Sequence, residues 1–293
     1  MPPYILLALI GAFFYSLSGL LNKQAMTLGC GPLRIYMIQA WCGALLLTPF
    51  LFSGPAMPVS VWWQPPLTGA IWFAGSAVYM FTLRRGDLSI IGPVAGVKPV
   101  FNAALIATLL HEHVPPSTWI ACGLAAIALA VMRTPSSSGS HSFGRSAVQT
   151  LIAMLFFALT DACLQRWAAA WGPLRFACLE FICGALLSLS LIPMFGKKYR
   201  DLSRPTRRFL FAGAFCAALP GIFMSLAIGK YGHGAEVNVG YSFHVLITLF
   251  IVWMFGRYIG NTEHTVGKGP FLRRLAGAVI LLAAIGLILA GRN

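Results

Sequence analysis

The sequence predicts an all-α, polytopic membrane protein in which ten transmembrane helices form two inverted five-helix repeats. Composition points there first. Of the 293 residues, 58% are hydrophobic and only 10% are charged, with a mean hydropathy of +0.78. A soluble domain averages roughly 25% charged residues. Spacing points there next, because the apolar residues gather in runs close to the ~20 residues that cross a bilayer. The third observation is a repeat: residues 31–46 read GPLRIYMIQAWCGALL and residues 172–187 read GPLRFACLEFICGALL, sharing both ends. Secreted disulfide scaffolds, disordered chains and ordinary cytosolic enzymes are excluded by the same composition.

The predicted spans are 3–21, 34–52, 67–83, 88–110, 115–132, 147–168, 173–195, 209–229, 234–256 and 273–291. The first is uncharged up to Lys23. It reads as a span rather than a cleaved signal, whose short apolar region follows a basic segment. No charged residue lies between Arg34 and Arg84. That stretch is too long for one helix, and Ser53-Gly54-Pro55 with Pro58, Pro65 and Pro66 divides it into the second and third spans. The fourth holds Lys98-Pro99 about midway, where proline removes a backbone donor and frees a carbonyl one turn back. The fifth starts at Pro115-Pro116. Residues 134–146 have linker composition, beginning Thr134-Pro135-Ser136-Ser137-Ser138-Gly139-Ser140. They separate a first repeat, 1–133, from a second, 147–293. Because five spans is an odd number, the second copy enters the membrane from the opposite side, as in many carriers that alternate access around a central site.

Lys plus Arg number 21 against seven acids, for a net charge of +14. Most basic residues sit between apolar runs, where they act as topology anchors. Apart from Lys98, sixteen fall on one set of loops and four (Arg166, Arg175, Lys230, Arg292) on the other. Both termini are therefore expected outside and the basic 197–208 loop in the cytoplasm. No basic patch is interleaved with stacking aromatics, so nucleic acid is not an expected partner. The seven cysteines show no CxxC spacing, and all but Cys30 lie in apolar runs, where cysteine behaves as a small hydrophobe.

Three segments give the doubled pattern a family likeness. Residues 15–23, YSLSGLLNK, have an aromatic, small residues and a closing lysine, echoed by FALTDACLQR at 157–166. Residues 99–112, PVFNAALIATLLHE, run from proline through a small apolar stretch to glutamate, and Gly123 and Gly277 open the last helix of each half. In order and spacing the chain resembles the drug/metabolite transporter superfamily, and within it the ten-helix EamA-type carriers. It departs from the family where arginine is common in the second helix: here stands Gln39, matched by Glu180 in the other half. The ninth span, GYSFHVLITL, lacks the proline that Pro99 supplies in the fourth.

Ionisable groups at membrane depth are costly and mark function. Lys98, Asp161, Glu180 and His244 occupy such positions, with Glu236 nearer an interface. Lys98, in the proline-broken fourth span, suits a substrate carboxylate or phosphate; otherwise it forms a structural ion pair with Glu180 or Asp161. Glu180 and Asp161 are the expected proton-coupling groups, since low dielectric favours the neutral form of a carboxyl. Tyr15, Gln39, Tyr79, Asn102, Tyr241 and His244 are the expected substrate contacts beside Lys98, Asn102 lying one turn after it. Against each stands ordinary helix–helix hydrogen bonding and packing. His111-Glu112-His113 does not make a metal site, because i,i+2 side chains do not share a helical face. No nucleophile elbow, zinc-protease or phosphate-loop motif occurs in its required context.

The expected activity is that of a secondary active transporter, not an enzyme, moving a small organic metabolite, anionic or zwitterionic, coupled to protons or by exchange. The alternative is a membrane-embedded enzyme for a lipid or prenyl substrate, which needs clustered acids or histidines. No cofactor or metal is expected. The partners are the solute and the lipid bilayer of a bacterial inner membrane, with a homodimer left open.

Overall fold

The computed structural model describes residues 1–85, 94–132, 143–196, 198–255 and 268–290, and every long element among them is an α-helix. In chain order these are α1 (Pro3–Thr27), α2 (Pro32–Leu47), α3 (Gln64–Arg85), α4 (Lys98–Leu109), α5 (Pro116–Val131), α6 (Phe143–Trp171), α7 (Pro173–Ser188), α8 (Arg204–Tyr231), α9 (Gly234–Tyr241), α10 (His244–Phe255) and α11 (Lys268–Ala290). Proline opens α1, α2, α4, α5, α7 and α8 at the first or second position. There its missing N–H has no helical partner to lose and its fixed φ is already helical. Ser203 caps α8 by accepting from the Thr206 N–H at 3.3 Å, and Gly232 ends that helix at φ 71°.

Among the described residues, six helices are long and apolar enough to cross a membrane: Pro3–Thr27, Pro32–Phe50, Val59–Leu83, Gly144–Trp171, Pro173–Met194 and Arg204–Tyr231. Lys98–Leu109, Pro116–Val131 and Leu275–Ala290 are shorter apolar helices. The two helices carrying the repeated sequence both tighten at their ends into 3-10 turns, Thr48–Phe50 and Leu189–Met194. Two expectations need correction. The ninth span is not one helix: it stops at Tyr241, turns through Ser242 and Phe243, and restarts at His244. Residues 143–146, expected in the linker, are the first turn of α6. At 29 residues that helix is about 43 Å long at 1.5 Å per residue, more than the ~30 Å of hydrocarbon it has to cross, so its end extends past the apolar layer. Residue 133, residues 134–142 of the linker and 88–93 of the fourth span lie outside the described residues.

The packing has a regular order. α1 lies along α8 and α3 along α6; α2 meets α7 and α5 meets α11. α3 also packs on α7, α2 on α8, α4 on α6, and α1 on α9 and α10. With α9 and α10 counted as one span, each pair maps onto another, or onto itself, when the first five spans are exchanged with the last five. Glycine permits the closest crossing: a Cβ on Gly69 of α3 would sit 2.5 Å from the Glu180 backbone oxygen of α7. Outside, Ile120 and Ile127 of α5, Ile152 of α6, Phe215 of α8 and Val279 of α11 are exposed. In water such a surface would aggregate; in a bilayer it faces its solvent.

Candidate functional site

A cavity of about 440 Å³ lies at the centre of the bundle, with walls from both halves of the chain. Its ionisable core begins at Lys98, the first residue of α4, which follows a turn at Gly96 and Val97. Lys98 Nζ lies 2.9 Å from Asp161 Oδ2 on α6, with side chains 19% and 8% exposed. Asp161 Oδ2 also accepts from Asn238 Nδ2 of α9 at 2.7 Å. A helix N-terminus carries partial positive charge, so an ammonium on it is unfavourable by itself. The Asp161 carboxylate answers both the ammonium and the helix end.

Glu180 of α7 faces the same cavity and is 3% exposed. Its Oε2 has no hydrogen-bond partner among the described residues, and neither has the Oη of Tyr36, which is 1% exposed on α2. Aromatic rings line this side: Tyr36 and Trp72 have centroids 5.4 Å apart, and Trp72 and Phe181 4.9 Å. Phe181 fits because Gly43 of α2 and Gly221 of α8 leave room where a Cβ would strike its ring.

A second aromatic group stands where the ninth span breaks. Tyr15 of α1 lies edge-on to His244 with centroids 4.9 Å apart and 5.6 Å from Tyr241. His244 Nδ1 is 2.9 Å from the Tyr241 carbonyl oxygen, so that nitrogen carries the hydrogen. Ser16 Oγ donates to the His244 carbonyl at 2.8 Å, and Ser242 Oγ to the Asn238 carbonyl at 3.0 Å. Hydroxyls therefore serve backbone groups at a break that has no proline.

Of the residues singled out in the sequence, Lys98, Tyr15, Gln39, Tyr79, Tyr241, His244, Glu180 and Asp161 all line the cavity. Gln39 Nε2 donates to the Ala217 carbonyl at 3.1 Å. Asn102 is placed elsewhere. It is fully buried, with Nδ2 donating to the Ala158 carbonyl of α6 at 3.2 Å. It does share a face with Lys98, but that face is the α4–α6 contact, and only its first residue reaches the cavity. Tyr36, Trp72, Ser76 and Phe181 line the cavity and were not expected there. Their signal was weak, since aromatics and serines on apolar helices are common packing residues.

One end of the cavity is floored by a packed cluster. Tyr4, Ile5, Trp171, Phe176 and Ile228 form its core; Leu164, Met224 and Tyr241 belong both to this cluster and to the cavity wall. Polar ties cross it. Tyr4 Oη donates to Glu236 Oε2 at 2.5 Å, and Trp171 Nε1 to Gln64 Oε1 at 2.9 Å. Arg175 donates to the Pro55 carbonyl at 2.6 Å. Gln165 bonds Glu112 through Nε2 and accepts from the Gly234 N–H at 2.9 Å through Oε1. Thus the His111-Glu112-His113 stretch is tied to α6 through its glutamate.

Helices of membrane-spanning length, a lipid-suited surface and a polar cavity inside it define an integral, multi-pass membrane protein. Residues 2–134 match the model of the EamA-like transporter family. A solved crystal structure of a protein is similar in fold over 99% of this chain and 98% of its own, with a TM-score of 0.76 at 15% sequence identity. At that identity the likeness concerns the fold alone. None of the curated proteins matches the chain.

Proposed function

We propose that the protein is a secondary active transporter that carries a small organic solute across a bacterial inner membrane by alternating access. The observation that carries this reading is the cavity of about 440 Å³ holding Lys98, Asp161, Glu180 and His244, floored at one end by a hydrogen-bonded aromatic cluster. A buried polar chamber is costly in a membrane unless something uses it. In this reading the ten spans are two inverted repeats, 1–133 and 147–293. The reciprocal packing of the first five spans and the last five supports it. So do Lys98 and His244, which open the second part of the fourth and ninth spans after matching two-residue turns, and Gln39 and Glu180, which are equivalent in the repeat and share the cavity.

Both termini face outward in this scheme, as the distribution of basic residues favours, and the floored end is the outer one. The described conformation is then closed to the outside. Asp161 and Glu180 are the groups through which protons or an exchanged solute couple to transport. The test is uptake of radiolabelled metabolites into proteoliposomes, with and without an imposed proton gradient. Saturable, protein-dependent uptake is expected. Its absence across amino acids, amines, carboxylates and sugars would defeat the proposal.

A further inference from the structure

We infer that Glu180, Tyr36 and Trp72 form a subsite for a primary ammonium group, so that the transported solute is an organic amine or carries one. This deepens the transport reading and rests on it. The charge distribution in the cavity leads there. Among the described lining residues the one lysine is already engaged, with Lys98 Nζ 2.9 Å from Asp161 Oδ2, so it is not free to receive a solute anion. Among the described residues, that leaves a single carboxylate in the lining, Glu180, without a charged partner.

The hydrogen-bond inventory agrees. Glu180 Oε2 and Tyr36 Oη are both buried, both on residues lining the cavity, and both without a hydrogen-bond partner among the described residues. Buried polar atoms left unsatisfied cost about 1–3 kcal/mol each, more for a charged one, so native proteins leave few of them without a use. Glu180 Oε2, an acceptor, requires a donor, and the Tyr36 hydroxyl near it can accept as well as donate. A primary ammonium supplies three N–H groups and a positive charge. The aromatic wall fits the same group. Tyr36 and Trp72 are 5.4 Å apart and Trp72 and Phe181 4.9 Å, and ring faces attract a desolvated cation. A carboxylate or phosphate is disfavoured at this wall by Glu180 itself.

Backbone packing holds the subsite in place. Gly69 brings α3 against the Glu180 backbone, and Gly184, one turn after Glu180, leaves room for the Trp72 ring. Trp72 is therefore fixed on the helix face that meets Glu180. A zwitterion would seat its ammonium here and would have to compete with Asp161 for Lys98 with its carboxylate, whereas a simple amine needs no such exchange.

The test uses the purified full-length protein in detergent and two probes of one shape, 3-methylbutylamine and 3-methylbutan-1-ol. The amine should raise the melting temperature saturably, and the neutral alcohol should not, because a ligand that binds the folded state stabilises it. Glu180→Gln should weaken the amine's apparent affinity at least tenfold. Tyr36→Phe, which removes only the hydroxyl, should weaken it severalfold and keeps the test open if the glutamine variant does not fold. Equal shifts by amine and alcohol, an amine shift unchanged in both variants, or no shift by the amine up to tens of millimolar would each overturn the subsite. Uptake into proteoliposomes separates the two proposals. Amine binding that depends on Glu180 without any transport would refute the transport reading, and transport of solutes without amino groups would refute only the subsite.

Discussion

Lys98→Ala should destabilise the protein through Asp161, and the size of the effect can be worked from the geometry. The two side chains are 19% and 8% exposed and 2.9 Å apart, so the alanine variant strands a carboxylate in a largely dry setting. Removing one partner of a buried ion pair costs roughly 3–5 kcal/mol. Asp161 keeps the Asn238 hydrogen bond at 2.7 Å and a face toward the cavity, which places the cost at the low end, about 3 kcal/mol. With ~2–4 °C per kcal/mol for large domains, the melting temperature should fall by roughly 6–12 °C. The assay is thermal unfolding in detergent of the parent, Lys98→Ala, Asp161→Asn and the double variant. The double variant should recover most of the loss, since neither charge is then left alone and residue 161 can still accept from Asn238. A Lys98→Ala protein that melts with the parent, or a double variant as unstable as the two losses added together, would refute the pairing.

The remaining predictions concern packing and orientation. Gly69→Ala places a Cβ 2.5 Å from the Glu180 backbone oxygen and 2.9 Å from Cys183 Cβ, so it should cost about 1–3 kcal/mol by melting. Gly123→Ala on α5 meets nothing within 4 Å and should be neutral or stabilising by up to ~1 kcal/mol; equal losses in the two variants would contradict the crossing. Trp171→Ala removes a fully buried ring and its bond to Gln64, a loss of about 3–5 kcal/mol, and should open the floor of the cavity to small thiol reagents; a parent-like melting curve would count against the floor. Arg200→Cys should react with an impermeant maleimide only from the cytoplasmic face, and labelling in intact cells would reverse the orientation.

Much of the fold was readable because hydropathy and proline are local signals. The repeated Gly-Pro-Leu-Arg segments became the starts of α2 and α7, and the charge-free stretch after Arg34 divided where its prolines fall. The break in the ninth span was not readable. In the fourth span Pro99 announces it, but at Ser242-Phe243 it rests on hydroxyls from Ser16 and Ser242 serving carbonyls, one of them 228 positions away in the chain. Eight of the singled-out residues line the cavity, since charge and polarity at membrane depth stand out against an apolar background. Which charges pair was not foreseen. Lys98 had two candidate acids, and the choice of Asp161 over Glu180 depends on the rotation of α4 against α6, which periodicity in so uniformly apolar a helix does not encode. Asn102 shows the same limit: its face was read correctly, but what that face meets was set by packing.

Alternating access is tested most directly from within the cavity. Ser76 of α3 lines it and is 4% exposed. Ser76→Cys, in a version lacking the seven native cysteines, would be treated with an impermeant thiol reagent in right-side-out and in inside-out vesicles. Transport around one central site predicts that the cysteine reacts from both faces, and that a saturating solute protects it from both. Reaction from a single face under every gradient and solute condition would contradict it.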